Sequence, residues 1–215
     1  MTLMILLRHD IRNLLRRPVH LYSLIAFVTI SMLLFPLALG PDPRILSQVA
    51  TGLWWVLILF SSHLIAPQIW REDLEDGTWQ QLSLTATPPE WIILSKAVSV
   101  WLTTFGSLIL FMPFLGLTFG LSGQAMLLQA QTFLLISPAL SLLTLSAGLM
   151  RQNNNQIPAL STVILLPLYV PLLIFSCLAC HTNANHSAWN VLIGITLLLS
   201  VSLLYLNIFL LRWQR

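Results

Sequence analysis

Four of the chain's seven acidic residues, Glu72, Asp73, Glu75 and Asp76, crowd into the stretch Trp70 to Thr78. Carboxylates this close can act as a general acid and base or hold a divalent cation, and a solvated acidic turn uses the same residues. His63 follows Ser61 and Ser62 in an apolar run. It reads either as a hydrogen-bonded histidine or as a proton or substrate group. Cys177, Cys180, His181 and His186 bring thiols and imidazoles together, and both can ligate iron. A second ligand pair at zinc spacing is missing, so the plainer reading of Cys177-x-x-Cys180 is small apolar residues near a helix end.

Other chemistry is excluded by motif. The only lysine, Lys96, follows Ile92-Ile93-Leu94-Ser95, so no phosphate-cradling loop of the form G-x-x-x-x-G-K-[ST] is present. Neither H-E-x-x-H nor G-x-S-x-G occurs. The expectation is a chain with no catalytic residues and no metal site of its own.

The elements that position these residues are set by composition. Hydrophobic residues make up 57% of the 215 and charged residues 8%, against about 25% charged in a soluble domain. Six stretches reach the roughly 20 apolar residues that a bilayer core requires. They are Leu21 to Leu39, Val49 to Ile69, Trp91 to Phe119, Ala125 to Met150, Ile157 to Ala179 and Trp189 to Leu211. The third is longest, which predicts tilt or an extension out of the membrane. No internal repeat is visible, and the apolar run after Arg16 and Arg17 is span-length, so the N-terminus is expected to be retained.

Nine of the ten cations fall on one side of this layout, Arg44 being the exception. The positive-inside tendency then puts both termini in the cytoplasm. The cations lie between apolar blocks rather than on one basic face, which argues against nucleic acid. Pro36, Pro113, Pro138, Pro167 and Pro171 predict kinks that either shape packing or serve as hinges. Trp54 and Trp55 read as interfacial anchors.

Over residues 1–18, Leu3, Leu7, Ile11 and Leu14 form one stripe and Arg8, Arg12 and Arg16 another. That is an amphipathic helix suited to the membrane interface, or else a charged lead-in to the first span. After the second span, Gly77 suits a left-handed helix terminus, and Thr78 with Gln81 fits a capping box. Pro88-Pro89 then closes the segment. A short helix bearing Trp79, Leu82 and Leu84 is expected here, either as a docking surface or as a loop closure.

Arg71-Glu-Asp-Leu-Glu-Asp-Gly-Thr78, then Gln81-Leu82, Pro88 and Ser95-Lys96, resembles the second cytoplasmic segment of ABC-2-type transporter permeases, and within them the heme exporter protein B family, CcmB. Phe35-Pro36-Leu37 to Gly40-Pro41-Asp42-Pro43, and Leu165-Leu166-Pro167 to Pro171 through Phe175, are similar to that family too. The resemblance implies a single permease domain over residues 1–215: an all-α membrane protein with helices one and two in 21–69, a cytoplasmic coupling segment in 70–90, and helices three to six in 91–211. It implies that Glu72, Asp73, Leu74, Glu75, Asp76, Gly77, Thr78, Trp79, Gln81 and Leu82 face a separate cytosolic ABC ATPase subunit. It further implies a homodimer in the lipid of the bacterial inner membrane, beside a tryptophan-rich heme-handling membrane protein, a small membrane subunit and a periplasmic heme chaperone. ATP would be bound by the partner subunit, and heme would be the substrate that the complex handles. A general ABC-2 exporter, a heme-complex scaffold and an intramembrane enzyme using His63 or the cysteines are the alternatives.

Overall fold

A computed structural model describes residues 4, 7, 8, 10–12, 19–75, 77–78, 88–153, 158–180 and 186–213. All regular elements among them are helical. In chain order they are α1 (Val19–Leu39), α2 (Pro43–Glu75), α3 (Pro89–Val100), a π-helical segment (Trp101–Phe105), α4 (Gly106–Ile109), α5 (Met112–Phe119), α6 (Gly123–Asn153), α7 (Pro158–Ala179) and α8 (His186–Trp213).

Helix ends follow from local chemistry. Gly40, at φ +87, ends α1 and returns its amide to the Pro36 carbonyl at 3.0 Å. Asp42 then caps α2: its Oδ1 accepts the Arg44 amide at 2.9 Å, and Pro43 opens the helix where a missing N–H does no harm. Gly120, at φ +65, ends α5, and Ser122 Oγ accepts the Ala125 amide at 3.3 Å to begin α6.

The expected third span is one apolar stretch, Pro89–Phe119, but not one continuous helix. Gly106 N–H donates to the Trp101 carbonyl, five residues back, which inserts a wide π turn. The helix breaks again at Leu110 and Phe111, whose amides fall back to the carbonyls of Ser107 and Leu108. Pro113 explains the second break, because it has no amide to donate and its ring would meet the Ile109 carbonyl.

Five stretches are long and apolar enough to cross a bilayer: Leu21–Leu39, Pro43–Arg71, Pro89–Phe119, Gly123–Met150 and Ser187–Trp213. The remaining expected span lies in α7, where the apolar part Ile164–Ala179 is shorter and is interrupted by Pro167 and Pro171. Helix α2 has 33 residues, about 50 Å at 1.5 Å per residue, and so outruns a hydrocarbon core about 30 Å thick. Its last turns hold Trp70 through Glu75, so these acids continue the span instead of forming a separate element. Gly77 then adopts φ +72, the left-handed conformation suited to a helix terminus.

Helix α6 is the centre of the bundle, buried continuously from Ala139 to Leu149, and it packs on α2, α3, α7 and α8. Small polar residues make this possible. Ser141, Thr144 and Ser146 return their hydroxyls to α6's own carbonyls at 2.7 to 3.0 Å, leaving a slim surface without free donors. Asn207 of α8 adds a cross-helix bond, its Nδ2 donating to the Leu142 carbonyl at 3.1 Å.

Candidate functional site

Three separate parts of the sequence meet in one buried charge cluster. Pro88 and Pro89 set the start of α3, which places Ser95 and Lys96 two turns in, against the end of α2 and the N-terminal segment. Lys96 Nζ lies 2.5 Å from Asp73 Oδ2 and 3.6 Å from Asp10 Oδ1. Ser95 Oγ donates to the other Asp10 oxygen at 2.6 Å. The side chains of Lys96, Asp73 and Asp10 are only 7%, 5% and 12% exposed. At such burial a charge is tolerable only while paired, so each of the three fixes the other two.

Trp70 extends the cluster into the core. Its ring lies under the ammonium, 4.9 Å from Nζ, and its indole N–H donates to the Leu145 carbonyl of α6 at 3.4 Å. Gly148 of α6 leaves room for it: a Cβ there would come within 2.6 Å of the Ala66 carbonyl oxygen and 2.7 Å of the Trp70 ring. A rigid path therefore runs from α6 through Trp70 and Lys96 to the α2 terminus and the N-terminal segment. At the same end of the bundle Arg212 of α8 pairs with Glu90 at 2.8 Å, with both side chains exposed.

Asp73, expected on an outward-facing docking surface, is instead an internal anchor at 4% exposure. Gly77 and Thr78 are half-buried. The backbone of Glu72, Leu74 and Glu75 belongs to α2; Asp76, Trp79, Gln81 and Leu82 lie outside the described residues, as does Arg16. In the N-terminal segment Arg8 and Arg12 are exposed and Leu7 and Ile11 half-buried, while Asp10 turns inward to Ser95. Asp10 and Lys96 were legible in sequence only as an acid isolated among arginines and as the chain's single lysine. Pairing them requires knowing that the N-terminal segment folds back onto α3.

His63 sits between α2 and α7. Its Nδ1 is 3.0 Å from the Leu59 carbonyl, which fits a donated bond, and its ring stacks at an angle on Tyr169 with centroids 5.1 Å apart. Ser62 Oγ donates to the Leu59 carbonyl at 2.7 Å and lies 3.2 Å from the Tyr169 hydroxyl. Pro67, four residues after His63 and inside α2, has no N–H to donate back along the helix.

The opposite end of the bundle holds aromatic rings and a thiol. Trp54 and Trp55 are not interfacial anchors: they are 0% and 1% exposed and pack on Phe133, at centroid distances of 6.0 and 6.4 Å. The register of α2 turns both indoles toward α6, which composition alone does not reveal. Cys180 is buried with Sγ 3.5 Å from Thr132 Oγ1, and Cys177 is half-buried; both thiols are free. His181 lies outside the described residues, as does the side chain of His186.

Comparison with known proteins matches the family described as CcmB protein over residues 1–211. Heme exporter protein B of Pseudomonas aeruginosa is 35% identical over 170 residues, covering 79% of this chain and 76% of its own. The protein of the same name from Haemophilus influenzae is 32% identical over 171 residues, 80% of this chain and 77% of its own. That of Escherichia coli K12 is 32% identical over 184 residues, 83% and 81% of the two chains. With the match running across all the helices described above, the chain belongs to the CcmB protein family.

Proposed function

We propose that this chain is the membrane permease subunit of a heme exporter serving c-type cytochrome biogenesis, and that it is moved by an ATPase it does not itself contain. The observation that carries this reading is family membership over residues 1–211, shared with relatives named heme exporter protein B. In this reading six helices cross the bacterial inner membrane with both termini in the cytoplasm, α7 supplying the fifth crossing. The nine cations gathered on one side of the apolar blocks support that orientation.

The cytosolic ABC ATPase subunit docks on the segment from Glu72 to Leu82, with Asp73 beneath the surface holding the segment to the bundle. The buried Asp10–Lys96–Asp73 cluster supports a mechanical role. A push on the end of α2 reaches α3 through Lys96 and α6 through Trp70. The amphipathic N-terminal helix lies in the interface and is drawn along by Asp10. Two copies of the chain, the heme-handling membrane protein, the small membrane subunit and the periplasmic heme chaperone complete the assembly. Heme is its substrate, and ATP is held by the partner.

The test is reconstitution in lipid with the ATPase subunit and the chaperone, followed by ATP-dependent release of heme-loaded chaperone. Charge reversal at Glu72, Glu75 and Asp76 is expected to abolish release while the permease remains folded. Unchanged ATPase binding and release after that reversal would sink the docking surface. Normal heme delivery by a complex carrying an inactive ATPase would reduce the chain to a scaffold.

A further inference from the structure

The faces of α3 and α8 do not close on one another. An apolar slot of about 390 Å³ lies between them, walled by Leu94 and Val98 on α3, by Trp101 at the start of the π segment and by Val201 and Leu204 on α8, with Pro138 of α6 also lining it. Small side chains, Ala97, Ser141 and Ser200, keep it open. From Leu94 to Trp101 a helix rises about 10 Å, so a slot of this volume is long and wide enough to admit a hydrocarbon chain.

A charged pair lies beyond one end of the slot. Glu90 precedes Trp101 by eleven residues, and Arg212 follows Val201 by eleven. Eleven residues make three turns, so both charged residues lie on the faces that wall the slot. Arg212 and Glu90 meet there at 2.8 Å, with side chains 64% and 46% exposed. Trp91 and Trp213, both exposed, flank the pair in the manner of indoles at headgroup depth.

We propose that this slot is a phospholipid site: it takes one acyl chain of an anionic phospholipid, whose phosphate is received by Arg212 in competition with Glu90. An exposed arginine at headgroup depth, paired with one exposed carboxylate, offers a phosphate a bidentate contact. The apolar walls below offer the acyl chain what bulk lipid offers it, so selectivity comes from the headgroup.

The full chain in vesicles containing phosphatidylglycerol with a photoreactive acyl chain tests this by peptide mapping of the adducts. Adducts are expected to concentrate on 94–101 and 200–204, above those on Leu33, Leu34 and Leu37, the exposed face of α1. Val98→Phe and, separately, Val201→Phe should each remove the slot adducts while leaving the α1 adducts. Arg212→Gln should lower phosphatidylglycerol labelling of the slot about fivefold and leave phosphatidylcholine labelling unchanged. Glu90→Gln should raise phosphatidylglycerol labelling, and excess inorganic phosphate should not compete. Equal labelling of slot and α1, or indifference to both phenylalanine variants, overturns the proposal. So does efficient disulfide crosslinking between two copies through Val98→Cys or Val201→Cys, which would give the slot to a second chain.

Discussion

The two ends of the bundle are held by different physics. Around Lys96, charges from the N-terminal segment, α2 and α3 are buried together, and each depends on its partners. Around Phe133, rings from α2, the π segment and α6 pack at 6.0 to 6.4 Å, with a thiol and a hydroxyl beside them. Apolar packing degrades gradually when one group is trimmed, because the loss is confined to the atoms removed and the space they leave. A buried ion cluster fails abruptly, because removing one member strands the others. Under the proposed function, an abrupt contact suits a joint that transmits a push.

The strongest way to break this contrast is Lys96→Met, which leaves Asp73 and Asp10 facing each other in a buried site. A loss of about 3–5 kcal/mol is expected, read as a lower unfolding temperature in detergent, together with loss of ATP-driven release. Adding Asp73→Asn should restore part of the stability but not coupling, since one of the two stranded charges goes while the ionic link stays broken. Full activity of Lys96→Met would mean the cluster carries no force.

Gly148→Ala comes next, at about 1–3 kcal/mol for overpacking, because the added Cβ meets the Ala66 carbonyl and Trp70. Gly52→Ala and Gly194→Ala, where a Cβ meets nothing within 4 Å, are expected to be neutral or slightly stabilising by the same melt. At the aromatic end, Cys180→Ala should cost about 1 kcal/mol through lost packing and leave heme release unchanged. A larger loss of release than of stability would give that thiol a role in transport. Smallest is Arg212→Gln, expected to change stability by at most about 1 kcal/mol, since its partner Glu90 is exposed.

Much of the bundle could be read from the sequence because hydrocarbon imposes a single length rule on every helix. The runs from Leu21 to Leu39 and from Ala125 to Met150 agree with their helices closely. Gly77 was readable as a left-handed residue because few other residues take that conformation without strain. The cluster was harder to see. Asp73 has the same composition signature as its acidic neighbours, and Asp10, the other carboxylate that pairs with Lys96, is 86 residues from that lysine along the chain. Trp54 and Trp55 show the same limit, since a tryptophan near a helix end reads as an anchor until the helix's rotation is known. The π turn also escaped notice, because Trp101 to Phe105 contains neither proline nor glycine to mark it.

That turn amounts to one residue too many in an otherwise regular helix. An extra residue rotates everything beyond it by about 100° relative to a continuous α-helix. The sequence before it therefore answers to one set of neighbours, and the sequence after it to another. Leu94 and Val98 line the slot that faces α8, while Trp101 donates to Ser137 and Phe105 packs on Phe133, both on α6. Deleting a single residue between Trp101 and Phe105 would keep every side-chain type in the third span and still turn half of it toward the wrong partners.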